Sequence, residues 1–178
     1  HKEYRRQRQM CIRDSLSTAP STECCAMSQV VDRMPAVPRC HRLLLTGAAG
    51  NLGKVLRPRL KAHADVLRVS DVATLAPAAP GEEVIPCDLA DAAAVSELVR
   101  GVDAIVHLGG VSVERSFEEI LPANIQGVYH VYEAARVHGV RRVVFASSNH
   151  VIGFYEQGAQ LDADVPLRPD GYLSLIHI

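Results

Sequence analysis

Leu43-Leu44-Leu45-Thr46-Gly47-Ala48-Ala49-Gly50-Asn51-Leu52-Gly53 reads as a strand, a glycine turn and the opening of a helix. The apolar run has the length of a buried strand, and beyond it Leu52, Val55, Leu56, Leu60 and Ala64 recur at helical spacing. Pro58 has no amide to bond the Lys54 carbonyl, which predicts a kink or a 3-10 turn there.

The same alternation continues downstream. Val66-Leu67-Arg68-Val69 is a second strand ending at Asp71, and Val84-Ile85-Pro86-Cys87 is a third. Residues 90–99 form a helix with Asp91 near its start and Gly101 just past its end, where a left-handed cap is needed. Residues 104–108 are the fourth strand. Residues 117–138 carry helical spacing, with a break expected at Pro122 and a stop at Gly139. Residues 142–146 are the fifth strand, and a polar loop follows to Tyr172. Five strands alternating with helices predict an α/β fold, a doubly wound parallel sheet covered on both faces. Ligands of such sheets bind at the carboxyl ends of the strands, where strand order reverses.

The chain has 178 residues, 48% hydrophobic, with a formal net charge of -1, which is enough apolar material for one sizeable core. The near-zero charge excludes the broad basic field of a nucleic-acid binder. No apolar run approaches the roughly 18 residues of a membrane helix. Cysteines 11, 24, 25, 40 and 87 include no Cys-x-x-Cys pair, and no His cluster has zinc spacing, so neither a disulfide framework nor a metal site is expected. A reducing, cytoplasmic setting is the default.

Met10-Cys11-Ile12-Arg13-Asp14-Ser15 and Leu173-Ser174-Leu175-Ile176-His177-Ile178 can be coded by DNA strings that are reverse complements of each other and resemble a transposase library adapter. Residues 1–15 and 173–178 are therefore expected to be adapter-derived. Residues 16–41 are expected to be a disordered arm or leader, and residues 42–172 a cofactor-binding domain truncated at its C-terminal side.

Glycines between a strand and a helix allow a tight turn and let a pyrophosphate approach backbone amides at the helix N-terminus. Asp71, at the end of the next strand, is placed to accept both hydroxyls of an adenosine ribose and to repel a 2′-phosphate. Gly47, Gly50, Asn51, Leu52, Gly53 and Asp71 are thus cofactor-binding candidates on a Rossmann-like sheet, and NAD rather than NADP is the expected cofactor. An ordinary turn and a solvated loop charge are the plainer alternatives.

These segments, followed in order by Cys87-Asp88-Leu89, His107-Leu108-Gly109-Gly110, Asn124 with Gly127, and Phe145-Ala146-Ser147-Ser148, resemble the extended short-chain dehydrogenases, which include sugar-nucleotide epimerases and dehydratases. The resemblance covers about residues 42–172. Gly109-Gly110-Val111-Ser112, Ser147-Ser148-Asn149-His150, Ile152-Gly153-Phe154-Tyr155 and Arg168-Pro169-Asp170-Gly171 look most like the uronate-oxidising branch of that family.

The resemblance implies that Asp88 and Leu89 hold the adenine, although Asp also favours a helix cap. It implies that Leu108, Gly109 and Gly110 make room for ribose and phosphate, where a plain loop would serve equally. Asn124 is either structural or on the cofactor side. Ser148 is implied as the catalytic serine, Ser147 lies on the nicotinamide side, and Ser112, Asn149 and His150, with Ser148, contact the substrate. His63, His130 and His138 read as solvated, and His107 as a satisfied core or rim residue.

The family reaction uses a Tyr-x-x-x-Lys pair, in which the Lys cation lowers the Tyr pKa so that a phenolate takes the sugar hydroxyl proton. The pattern puts that Tyr and Lys at positions 173 and 177, held here by Leu173 and His177. The expected parent protein oxidises the C1 hydroxyl of a hexuronate such as glucuronate or galacturonate to an aldarolactone with NAD. The expected partner is a small-molecule sugar acid, with no nucleic acid and no membrane, and a homo-oligomer stays open. Alternatives are a sugar-nucleotide epimerase or dehydratase, and a noncatalytic dinucleotide sensor.

Overall fold

The computed structural model describes residues 39–177. The expected adapter-derived residues 1–15, and the expected arm as far as residue 38, lie outside the described residues.

Five strands form one parallel sheet in the order β3-β2-β1-β4-β5: β1 is Cys40–Thr46, β2 Ala64–Ser70, β3 Glu82–Val84, β4 Ala104–His107 and β5 Arg142–Phe145. The fold is the Rossmann-like α/β sheet that the alternation of elements predicts. Helices are α1 Asn51–Leu60, α2 Ala92–Val99, α3 Phe117–Ile120, α4 Gly127–Val137 and α5 Tyr172–Leu175. Side chains alternate across each strand, so β1 feeds two cores at once. Leu43 and Leu45 join Leu67, Val69 and Leu60 of α1 on one face. Leu44 and Ile105 join Val95, Leu98 and Val99 of α2 and Val131, Ala134 and Ala135 of α4 on the other. Each fully buried Leu or Ile stabilises the fold by roughly 1.5–3 kcal/mol.

Several boundaries differ from the sequence reading. β1 takes in Cys40 and His41, which composition assigns to the arm; Cys40 pairs with Ala64, and the Arg42 amide donates to Asp103 Oδ2 at 2.7 Å. β3 lies at Glu82–Val84 rather than 84–87. Two glutamates are tolerated on this edge strand because Arg57 donates to Glu82 Oε2 and Arg68 to Glu83 Oε2, each at 2.7 Å. The Arg57 hydrogen bond holds the Glu82 carboxyl below its usual range. Burial works to raise Glu83, but Arg68 and Arg42 hold it low as well. The Ile85 amide still donates to the Val69 carbonyl at 3.0 Å, and Pro86, with no amide, ends the regular ladder.

α1 runs two residues past Pro58 and becomes 3-10 only at Lys61–His63. The carbonyl freed by Pro58 belongs to Lys54, an exposed residue, so the lost helix bond costs little there. The break near Pro122 is a π-helical turn, Leu121–Gln126, in which the Gly127 amide donates to the Pro122 carbonyl. A Cβ on Gly127 would stand 2.7 Å from Leu89 Cβ, so helix and loop meet there with no room for a side chain. A 3-10 turn, Asn149–Ile152, interrupts the expected loop after β5. His130 and His138 are not simply solvated: His130 Nδ1 bonds the Leu89 carbonyl at 2.8 Å, and His138 Nε2 meets Ser96 Oγ at 3.1 Å.

Among the described residues, no helix is long and apolar enough to cross a membrane. No group of three or more His, Cys, Asp or Glu side chains among them is arranged to hold a metal ion.

Candidate cofactor and substrate site

β1 is flanked by β2 on one side and β4 on the other, so the order of strands reverses at its carboxyl end. The turn after β1 and the turn after β4 touch there through backbone. Gly47 adopts φ +70°, and a Cβ on it would lie 2.6 Å from the Leu108 carbonyl carbon and 2.7 Å from the Gly109 nitrogen. A Cβ on Gly53 would overlap the Gly47 carbonyl oxygen and stand 2.7 Å from Ala48 Cα. Both glycines are therefore required sterically: they let the two turns and the start of α1 close against one another over the strand ends.

α1 begins at this turn. Its N-cap, Gly50, offers no side-chain cap, and the first turn carries no acidic residue. The opening amides, at exposed Asn51 and Leu52 and buried Gly53, thus leave the positive end of the helix for an anion. Asp71 stands beside the same turn: Ala49 N–H donates to its Oδ2 at 2.9 Å and Ala73 N–H to its Oδ1 at 3.0 Å. Each carboxylate oxygen keeps a second lone pair for a hydroxyl. The glycine turn, the uncapped helix start and this carboxylate fit the pyrophosphate and adenosine ribose of a dinucleotide.

The turn after β4 is built from beneath. Gly109 N–H donates to Thr46 Oγ1 at 3.2 Å, and Thr46 Oγ1 shares a 2.6 Å hydrogen bond with His107 Nδ1. His107 is fully buried and stacks on Phe145 at 5.5 Å, but its Nε2 has no partner among the described residues, so the residue is only half satisfied. Burial pushes its pKa down to about 4. Asn124, from the π-helical turn, receives the Val111 amide on Oδ1 at 2.8 Å and donates Nδ2 to the Val111 carbonyl at 3.0 Å. Both ends of its amide are spent on holding the Gly109-Gly110-Val111 turn. Asp88 is exposed and accepts the Ala90 amide at 2.9 Å, while Leu89 sends its side chain into the core and packs under Gly109. Leu108 packs partly buried against the α1-side core, and exposed Ser112 follows the turn.

At the carboxyl end of β5, two strands from the glycine turn, Ser147 and Asn149 are exposed, and Ser148 Oγ accepts the His150 amide at 3.2 Å as the N-cap of the 3-10 turn. His150 Nδ1 lies 2.7 Å from Asp170 Oδ2. Two further contributors emerge only in three dimensions. Thr46 supports Gly109 from 63 positions away, and Glu114, just past Ser112, accepts the amides of Tyr172 and Leu173 at 2.8 and 3.1 Å and so caps α5. Thr46 lies inside the quoted glycine motif, so its position is a usable signal; an exposed loop glutamate carries none.

Residues 43–172 match the NAD dependent epimerase/dehydratase family. The chain is 68% identical over 136 residues to a uronate dehydrogenase of Pseudomonas putida, covering 76% of this chain and 51% of that protein. It is 66% identical over 136 residues to a uronate dehydrogenase of Pseudomonas syringae pv. tomato, covering 76% and 50%. Among solved structures, a mutant uronate dehydrogenase of Agrobacterium tumefaciens complexed with NAD superimposes with a TM-score of 0.75 at 57% identity, covering 78% of this chain and 52% of that one. The chain spans about half the length of the curated relatives it matches. The match over residues 43–172 leads to one conclusion: the chain belongs to the NAD dependent epimerase/dehydratase family.

Proposed function

We propose that the chain is the cofactor-binding half of an NAD-dependent dehydrogenase that oxidises the C1 hydroxyl of a hexuronate to an aldarolactone. The observation that carries this reading is the Ser148-Asn149-His150 turn at the end of β5, two strands from the glycine turn, in a chain 68% identical to a uronate dehydrogenase. NAD, when bound, supplies the hydride acceptor. Gly47, Gly50, Asn51, Leu52 and Gly53 hold its pyrophosphate, Asp71 its ribose, and Asp88 with the Leu89 backbone its adenine. Leu108, Gly109 and Gly110 give it room, kept in place by Asn124, and Ser147 lies on its nicotinamide side. Ser148 holds the C1 hydroxyl oxygen, and Ser112, Asn149 and His150 orient the sugar acid. Removal of the hydroxyl proton needs a base, which the family pattern supplies from positions 173 and 177.

The test follows NADH formation from glucuronate, galacturonate and UDP-glucose by the protein extended to the length of its relatives. Turnover of the free uronates is expected, with Ser148→Ala lowering kcat about a hundredfold and changing KM little. A response to UDP-glucose alone would replace this reading by a sugar-nucleotide one, and full activity of Ser148→Ala would remove the serine from the mechanism.

Cofactor preference rests on Asp71. Val72, next to it, is exposed and free to carry a new charge. The double variant Asp71→Ser, Val72→Arg is expected to weaken NADH binding about tenfold and to strengthen NADPH binding, since it removes a carboxylate and adds a phosphate partner. Titration by nucleotide fluorescence measures both, and equal affinity of the unmodified protein for the two nucleotides would refute the role of Asp71.

A further inference from the structure

The segments 151–154 and 168–170 take no part in the proposed reaction, yet they are bound to each other closely. Arg168 N–H donates to the Val151 carbonyl at 2.7 Å, and Phe154 N–H to the Arg168 carbonyl at 3.0 Å. The Tyr155 hydroxyl donates to the Pro166 carbonyl at 2.9 Å, and the Arg168 guanidinium lies over the Tyr155 ring, 5.0 Å from its centre. This clamp carries His150 on one arm and Asp170 on the other, and it brings His150 Nδ1 to 2.7 Å from Asp170 Oδ2 across 20 positions of sequence. Gly153 lies directly against the Asp170 carboxylate, where any Cβ would collide with it.

Resting on the reading of the Ser148–His150 turn as part of a sugar-acid pocket, we infer that Asp170 is a positioning residue for that pocket: it takes the Nδ1–H of His150, fixes the imidazole tautomer, and leaves Nε2 as the acceptor for a substrate hydroxyl. A carboxylate is an acceptor only, so a neutral imidazole facing it must carry its proton on Nδ1. Burial acts to raise the Asp170 carboxyl, but the hydrogen bonds from His150 and Ser174 hold it below the usual range, so it stays ionised. The His150 side chain is 39% exposed, so part of the ring is open to a ligand. In this role Asp170 acts through His150. It acts by denying His150 the second tautomer, in which Nε2 would donate rather than accept, and by holding the ring plane.

Two-bond 1H–15N NMR of the full chain at pH 8 reads the tautomer directly. The unmodified chain is expected to show His150 protonated on Nδ1, and Asp170→Asn, whose amide can either donate or accept, to show a mixture of the two forms. Gly153→Ala is expected to do the same by displacing the carboxylate without removing it. In the protein extended to the length of its relatives, Asp170→Asn should raise KM for the hexuronate about tenfold, while kcat and NAD affinity stay within about twofold. An Nε2–H tautomer in the unmodified chain, or a tautomer indifferent to Asp170→Asn, overturns the inference, as does a variant whose loss lies in kcat alone. Failure of the unmodified extended protein to oxidise any hexuronate overturns the proposed function instead, and the NMR result stands apart from it.

Discussion

The 178-residue chain is expected to form no NADH from NAD and glucuronate above the uncatalysed background. Positions 173 and 177, where the family pattern carries Tyr and Lys, hold Leu173 and His177. Leu173 offers no titratable group, and burial lowers the His177 pKa, so neither side chain supplies a lysine-lowered phenolate. Proton removal then falls to water, and the loss of general-base assistance is on the order of a hundredfold to ten-thousandfold. The measurement compares this chain with one extended to the length of the relatives and carrying Tyr and Lys at those two positions. Only the second is expected to turn over, and comparable rates in the two would remove the assignment of the base and the expectation that residues 173–178 are foreign to the protein. The proposed dinucleotide binding is a separate matter, since the contacts around Gly47, Gly53 and Gly109 involve neither position.

The second large effect concerns stability against pH. His107 is fully buried between Thr46 and Phe145, and desolvation lowers its pKa from an ordinary 6.5 to about 4. A lowered folded-state pKa means that the unfolded chain takes up the proton first as pH falls. The stability linked to this group is therefore complete above about pH 6.5 and is lost progressively between 6.5 and 4. The shift corresponds to about 3 kcal/mol. The depressed carboxylates Glu82, Glu83 and Asp170 act in the same sense but below their ordinary range near 4, so their window adjoins that of His107. Urea midpoints at pH 7 and 4.5, with an NMR titration of the His107 ring, check both the size and the source. A ring that titrates near 6.5 in the folded chain would sink the assignment. The consequence reaches the site, because the same imidazole shares its hydrogen bond with Thr46, which in turn holds the Gly109 amide.

Much of the framework is legible in the sequence. The apolar runs at β1, β2, β4 and β5 sit in order with helices between them, and periodicity alone is enough to call for a parallel sheet. Gly101 and Gly139 mark helix ends and take φ of +69° and +73°, as a left-handed cap requires. Gly47 and Gly53 are legible as a tight turn because their spacing lies inside one strand-turn-helix unit, and the packing there leaves no room for a Cβ on either. Asp71, one strand away, was readable for the same reason, and the structure brings its carboxylate to the Ala49 amide.

What needed the tertiary structure is whatever depends on partners far along the chain. Glu82 and Glu83 precede the apolar run at 84–87 and carry no strand signal of their own, yet they lie in β3, where Arg57 and Arg68 neutralise them. Asn124 is a weak helix former whose place is settled by the Val111 backbone 13 positions earlier. His130 reads as a solvated helix residue and is tied instead to the Leu89 carbonyl, 41 positions before it. The pairing of His150 with Asp170 is set by a clamp between two loops that have no periodicity to read. Local sequence determines which residues alternate and where the backbone turns, because those follow from each residue's own sterics and its neighbours within a few positions. Which charge meets which, and which ring nitrogen is spent, depends on the energy of contacts that exist only after the sheet has brought distant strand ends together.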